Sequence, residues 1–322
     1  MVWDTIISRD AGHSEPVQEW GGIAYALSAF EAVGPPGWTM LPIIKVGADL
    51  GERAGRFFGG LTSIGGTDGI RTVPEPNNRV TLRYEDTSRR TEVLSGAVPG
   101  WSWDELAPLV DRCNAVYINF IAGWELELES ARALRQAFQG PIYCDLHSIF
   151  LGVGPDGTRI PRALDSWREW LACFDFVQLN ETEFDQLAAS RGDPWQLAEE
   201  VVGDETRALL VTMGDRGSAW VCAPGFERLG ADRDRDDRQI EPVTAARSGT
   251  EPVEELFDGD PTGCGDVWGI TCFLQLLRGA TLPEAVRSAN RLAARNASLR
   301  GASGLAPLLS DAAGPIILEP ED

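Results

Sequence analysis

Asp260-Pro261-Thr262-Gly263-Cys264-Gly265-Asp266, directly before the apolar run Val267–Leu277, is the stretch that decides the reading. Two glycines flanking one small residue let the backbone turn tightly and aim successive N–H groups outward at a helix start. Such a start is an anion hole, suited to charge that builds on a phosphoryl group in transfer. Asp266 falls in the first turn of that helix, where the dipole favours an ionised carboxylate. A carboxylate beside an anion hole can take a proton from an attacking hydroxyl, a step worth about 10²–10⁴-fold in rate. The competing reading is a plain helix cap, which would prevail on this segment alone. A dinucleotide fingerprint built from Gly263, Gly265 and Gly269 is rejected. Its third glycine is one position late, and the segment lies far from the N-terminal βαβ unit where that fingerprint belongs. No GxxxxGK[ST] loop occurs in the chain.

Outward from this stretch the pattern alternates strand and helix. Helices are expected at Gly22–Val33, Ala48–Leu61, Glu125–Phe138, Leu164–Leu171, Glu181–Ala189, Pro194–Val202, Asp266–Leu277 and Leu282–Leu299. Strands are expected at Leu41–Val46, Val80–Tyr84, Thr91–Leu94, Ala115–Phe120, Ile142–Asp145, Phe174–Leu179, Arg207–Thr212 and Ser218–Cys222. Buried strands between helices imply a mainly parallel sheet covered on both faces. Two polar, β-leaning stretches, about 8–20 and 71–100, break the alternation as a small β lid would. The acidic and arginine-rich segment 225–259 reads as a surface loop without chemistry. Nothing in mid-chain resembles a linker, so the 322 residues are expected to form one domain.

Composition narrows the partners. The formal charge of −21 argues against nucleic acid and anionic membranes. No run approaches the roughly 18 apolar residues that a membrane helix needs. The start Met-Val-Trp-Asp shows no signal-peptide pattern. The six cysteines, at 113, 144, 173, 222, 264 and 272, form no CxxC pair and no disulfide framework. A reducing cytoplasm is the expected compartment. A polyanionic ligand would have to be held by local N–H donors against an unfavourable overall field.

Further motifs lie in order along the chain. Asn180-Glu181-Thr182-Glu183 follows a strand, and an amide and a carboxylate on a first helical turn suit hydrated Mg²⁺ and phosphate oxygens. The alternative is a capping box between Asn180 and Glu183. Thr212-Met213-Gly214-Asp215-Arg216-Gly217 would bring a hydroxyl and a close backbone to phosphates, or would be an ordinary hairpin turn. Gly21-Gly22 precedes the first helix, and Val46-Gly47-Ala48-Asp49-Leu50-Gly51 follows the next strand.

Together these segments resemble the ribokinase-like, or PfkB, family of carbohydrate kinases over nearly the whole chain. The family signature D-T-x-G-A-G-D is matched at Asp260–Asp266 with Cys264 in place of alanine, N-x-x-E at Asn180–Glu183, and T-x-G-x-x-G at Thr212–Gly217. The resemblance implies a three-layer α/β/α fold with a mainly parallel central sheet and a β lid. It implies Asp266 as base and Gly263, Cys264 and Gly265 as the anion hole. Thr212, Gly214, Gly217 and Asn290 would hold the nucleotide, and Asn180 and Glu183 would act on Mg²⁺ through water or phosphate. Asp4, placed at the end of the first central strand, would bind the acceptor with Gly21 and Gly22.

The implied reaction moves the γ-phosphoryl group of ATP to a hydroxymethyl group of a sugar or related small molecule. A monovalent cation beside the Asp260–Asp266 loop and a homodimer through the lid are implied by the resemblance alone. Two departures stand out. Ala26 occupies a position where the family commonly has asparagine, which removes one polar contact to the acceptor. Only three residues precede Asp4, so the first central strand is expected to be unusually short. A nucleoside kinase of the same fold, and a catalytically silent sugar or nucleotide sensor, are the rival readings.

Overall fold

The computed structural model of the protein describes residues 1–7, 15–84, 90–189, 192–203, 205–230, 242–250, 261–299 and 301–313. In chain order the elements are β1 (Val2–Ile7), β2 (Val17–Gly21), α1 (Ile23–Val33), β3 (Ile44–Gly47), α2 (Gly51–Gly59) and β4 (Ile70–Val73). Then come β5 (Arg79–Tyr84), β6 (Arg90–Ser95), α3 (Trp103–Val110), β7 (Val116–Asn119), α4 (Leu128–Ala137) and β8 (Ile142–Asp145). The short hairpin β9 (Leu151–Val153) and β10 (Arg159–Pro161) leads to α5 (Trp167–Leu171), β11 (Phe176–Asn180), α6 (Glu181–Ala188) and α7 (Pro194–Val201). The chain continues through β12 (Ala208–Thr212), β13 (Ser218–Cys222), β14 (Thr244–Ser248), α8 (Cys264–Leu277), α9 (Leu282–Asn296) and α10 (Leu305–Ala313).

The central sheet runs in the order β14-β13-β12-β11-β8-β7. Strands β7, β8, β11 and β12 are parallel, while β13 and β14 close the edge antiparallel. Strand periodicity divides the apolar side chains between two cores. Tyr143, Phe176 and Leu210 point to α8 and α9. Cys144, Val177, Leu209 and Val211 point the other way, onto Leu134, Trp167, Phe184 and Leu197 of α4, α5, α6 and α7. A sheet buried on both faces needs apolar residues on both, which is why these strands read as continuous apolar runs. The fold class is therefore α/β, with the three-layer arrangement and mainly parallel sheet expected from the sequence.

A second sheet, ordered β2-β1-β5-β6, has one apolar face built on Val2, Ile6, Val80, Leu82 and Leu94 against Ala122. The strand pairing corrects three expectations. Asp4 does not end a strand of the central sheet. It lies within β1, opposite Glu19 of β2 and Val80 of β5, since among the described residues β1 pairs with this smaller sheet alone. Ile70–Val73 lies outside this sheet, since it pairs in parallel with β3. The segment 225–259 is not wholly loop: Thr244–Ser248 pairs along the full length of β13. Residues 231–241 and 251–259 of that segment, and 8–14 and 85–89 of the expected lid, lie outside the described residues. Elements not read from sequence are α3, the β9–β10 hairpin, β14 and α10.

Candidate active site

The polar ends of the central strands meet the start of α8, the usual place for a ligand cleft in a parallel α/β sheet. Gly263 opens α8 in the left-handed region (φ 78°), and a Cβ there would sit 2.2 Å from the Tyr25 ring of α1. This glycine is required both by backbone conformation and by packing. The Cys264 N–H closes a turn onto the Pro261 carbonyl at 3.2 Å, so it is not a free donor as the sequence reading supposed. The Gly265 N–H, by contrast, has no partner among the described residues. A Cβ at Gly265 would meet only Gln178 Nε2, at 3.7 Å, so packing leaves open space there. Gly269 is a packing glycine, since a Cβ would fall 2.3 Å from Gln178 Oε1. Asp260 lies outside the described residues.

Asp266 stands in the first turn of α8, and its Oδ1 accepts from Asn119 Nδ2 at 2.9 Å. Burial pushes its carboxyl up to about 6, against the opposing pull of His147, Asn119 and Arg90. Asn119 ends β7, Asp145 ends β8 and Asn180 ends β11, while Gln178 lies in the middle of β11. Gln178 Nε2 donates to Gly265 O at 3.0 Å and to Asp145 Oδ2 at 3.2 Å, tying α8 to the sheet. Burial, reinforced by Glu183 and Asp266, raises the Asp145 carboxyl well above its ordinary value although His147 opposes it. His147 Nδ1 lies 2.7 Å from Glu183 Oε1. Burial would lower that imidazole, but the carboxylates of Glu183, Asp145 and Glu92 prevail and carry it to about 9.

Asn180 and Glu183 form the capping box that was the alternative reading. Glu183 N–H donates to Asn180 Oδ1 at 2.9 Å, and Asn180 N–H donates to Glu183 Oε2 at 2.8 Å. Both Glu183 oxygens are therefore engaged. Among the described residues no group of three His, Cys, Asp or Glu side chains is placed to hold a metal directly. These residues do not fit a protein-caged ion.

Thr212 ends β12, with its hydroxyl donating to Leu179 O at 3.4 Å. Gly214 (φ 60°) has nothing within 4 Å of a Cβ, whereas a Cβ on Gly217 (φ 87°) would lie 2.0 Å from Ser248 O. Gly214 is open to a ligand, and Gly217 serves the turn into β13. Asn290 differs from its expected role as a nucleotide contact. It is buried, its Oδ1 accepts from Ser218 Oγ (2.9 Å) and Trp268 Nε1 (2.7 Å), and its Nδ2 donates to Ser248 O (3.3 Å) and Gly249 O (3.1 Å). An amide makes four such bonds at most, so Asn290 is spent on the fold.

On the acceptor side, Asp4 is buried against Gly21, where a Cβ would fall 1.8 Å from Asp4 Oδ2. Gly22 caps α1 at φ 56°, and a Cβ there would strike Ile121. The two glycines thus bring Asp4 and the turn after β7 up to α1. That turn is fixed by Glu125, which accepts from Ile121 N–H and Gly123 N–H, each at 2.9 Å. The smaller sheet reaches over the site. Arg90 of β6 pairs with Glu92 at 2.6 Å and donates to Tyr84 Oη at 3.2 Å, while Tyr84 Oη lies 2.8 Å from Thr262 Oγ1.

Sequence reasoning missed Asn119, Asp145, His147, Gln178, Arg90 and Glu92. A polar residue closing an apolar strand was the available signal for Asn119 and Asp145, and a lone glutamine inside an apolar strand the signal for Gln178; His147 follows β8 in a helical turn. The two lid residues carried none.

No protein-family model and no curated protein sequence matches this chain. Solved structures do. A pyrophosphate-dependent kinase in the ribokinase family, determined as a sulfate complex, is similar at TM-score 0.68 and 15% identity, over 93% of this chain and 94% of that one. Ribokinase from Thermotoga maritima is similar at 0.65 and 17%, over 97% and 96%. Burkholderia thailandensis nucleoside kinase in complex with inosine is similar at 0.66 and 17%, over 97% and 92%. At these identities the likeness establishes architecture: this chain has the ribokinase-like fold along nearly its whole length.

Proposed function

We propose that this protein is a kinase that transfers a phosphoryl group to a hydroxyl of a small molecule, with Asp266 as the general base. The observation that carries the reading is the start of α8. A carboxyl held near 6 by burial stands beside an unpartnered Gly265 N–H, with open space at the Gly265 Cα. A base is most effective when its pKa lies near the working pH, and N–H groups fixed in advance stabilise developing charge without reorganising. Asn119 orients the carboxylate, while Asp4, beside Gly21 and Gly22, would bind hydroxyls of the acceptor.

We assign ATP as donor, over Thr212 and Gly214, and a hydroxymethyl group of a sugar or nucleoside as acceptor. The T. maritima ribokinase and the inosine-bound nucleoside kinase support those acceptor classes. Mg²⁺ would arrive on the donor's phosphates and keep its waters, since among the described residues no three metal-binding side chains are grouped to cage it. The monovalent-cation expectation concerns a loop that includes residue 260, outside the described residues. A homodimer through the lid, and a cytoplasmic location, remain proposals. Among the described residues no helix is long and apolar enough to cross a membrane. Pyrophosphate as donor is a second reading, favoured by the withdrawal of Asn290 into the fold.

The test is a phosphoryl-transfer screen of sugars, polyols and nucleosides with ATP and with pyrophosphate, run on the native protein and on Asp266→Asn. Acceptor-dependent turnover should fall about 10²–10⁴-fold in the variant. Turnover that persists at the native rate would remove Asp266 from its role. Ligand binding without turnover by either donor would make the protein a sensor.

A further inference from the structure

Gln178 stands in the middle of β11 (Phe-Val-Gln-Leu-Asn), a strand otherwise apolar up to its last residue, and is 2% exposed. An amide buried so deeply is costly unless its donors and its acceptor are used. Here they are. Oε1 accepts from the Tyr143 hydroxyl of β8 at 2.8 Å. Nε2 donates to Gly265 O of α8 at 3.0 Å and to Asp145 Oδ2 of β8 at 3.2 Å. A flipped amide would set its oxygen against Gly265 O, which can only accept, so the arrangement has one sense.

Helix α8 comes down on this amide. Gly265 and Gly269 lie four residues apart on one face of the helix, and that face turns toward Gln178. A Cβ would lie 3.7 Å from Nε2 at the first and 2.3 Å from Oε1 at the second. A side chain at 269 would therefore hold the helix off the sheet. Gly265 O does not need the bond to be satisfied. Only the last four carbonyls of a helix lack an intrahelical partner, and Gly265 lies in the first turn. The contact is thus a tether. It acts at a sensitive point, because Gly265 O belongs to the same planar peptide unit as the Asp266 N–H, and such a unit moves as one piece.

We infer that Gln178 is a positioning residue for phosphoryl transfer: it holds the Gly265–Asp266 peptide from the sheet side and so fixes the aim of the N–H groups at the helix start and of the base on the same backbone. Tyr143 sets the sense of the amide, and Gly269 makes room for it. The inference rests on the reading of Asp266 as base and adds to it the group that acts from behind. Donors fixed in advance stabilise developing charge without reorganising, and a tether from a central strand supplies that fixity.

The experiment measures kcat and both KM values, well below each melting temperature, for the native protein, Gln178→Met, Gln178→Glu, Gly265→Ala, Asp266→Asn and the Gln178→Met, Gly265→Ala pair. Methionine fills the space without a donor. It should lower kcat about 10–100-fold, the effect of displacing a catalytic group by up to about 1 Å, and leave the acceptor KM within about threefold. Glutamic acid buried beside Asp145 is protonated, keeps one donor for Gly265 O and should lose less. If Gln178 acts through the Gly265 peptide, the double variant falls no further than the worse single one. Losses that multiply would overturn the inference, as would a native kcat in Gln178→Met while Asp266→Asn is impaired; either leaves the base in place. A native rate in Asp266→Asn would overturn the base and this inference with it. Should Gln178→Met not fold, Gln178→Glu decides: its kcat relative to native should fall as rising pH ionises the added carboxyl, and a constant ratio refutes the tether. Should no donor turn over, calorimetry with inorganic pyrophosphate decides. Binding about tenfold weaker in Gln178→Met supports the tether. Equal binding, or none by the native protein, refutes it.

Discussion

Gly263 and Gly265 flank the same cysteine yet answer to different constraints, and substitution separates them. Gly263→Ala would force a Cβ into Tyr25 at positive φ, and should lower stability by about 2–4 kcal/mol in denaturant melts. Gly265→Ala enters open space in a helix start, where alanine is favoured by roughly 0.5–1 kcal/mol. It should leave Tm unchanged or higher while raising the donor KM and lowering kcat. Loss of stability without a kinetic effect would return Gly265 to a packing role. Asp266 carries a prediction in pH. Its carboxyl is raised from 3.8 to about 6 in the folded protein, so kcat/KM should fall with unit slope below about pH 6 and level off above it. The folded state also binds this proton more tightly than the unfolded chain, so stability falls as pH rises from about 4 to about 6. Asp266→Asn should therefore melt above the native protein at neutral pH, and that advantage should vanish below about pH 4. Equal melting temperatures at neutral pH would mean that burial does not burden this carboxylate.

At the scale of elements, Asn290 of α9 holds β13 and the end of β14 to α8 through four hydrogen bonds. Asn290→Ala leaves the Trp268 indole and the Ser218 hydroxyl unpaired in the interior, at a cost of about 2–4 kcal/mol. Equilibrium unfolding in urea checks this, and an unchanged midpoint with a raised nucleotide KM would restore the ligand contact. His147 joins the end of β8 to the first turn of α6 through Glu183. Its folded pKa of about 9 exceeds the unfolded value of 6.5. The stability this supplies is fully present below about pH 6.5 and is lost as pH rises to about 9. Melting curves across that window should slope downward in the native protein and less so in His147→Gln.

For the whole molecule, the smaller sheet touches the signature loop through Tyr84 and Thr262 and hydrogen-bonds to the β9–β10 hairpin through Leu94 N–H and Gly157 O at 2.8 Å. Such a sheet can act as a lid that keeps water from the donor, since an open kinase site hydrolyses its nucleotide. Tyr84→Phe removes the hydroxyl contact while keeping the ring. It should increase acceptor-independent hydrolysis of the donor several-fold with little change in Tm. A variant with native hydrolysis and native acceptor KM would mean that this contact does not govern closure.

What the sequence determined by itself was local. Apolar runs marked the buried strands because both faces of a parallel sheet are covered, and glycine spacing before Val267 marked the helix start that carries Asp266. Much of the candidate site was legible for the same reason: Asp266, Gly263 and Gly265 lie within four residues of one another. Only the tertiary structure decided the rest. Asn180 and Glu183 became a capping box shared with His147, and Asn290 became a buried tie. β1 joined the smaller sheet rather than the central one. Each of these outcomes depends on partners 30 to 70 or more residues away. Hydrogen bonds and strand edges at that separation are satisfied by whichever element packs alongside, which residue order alone does not specify.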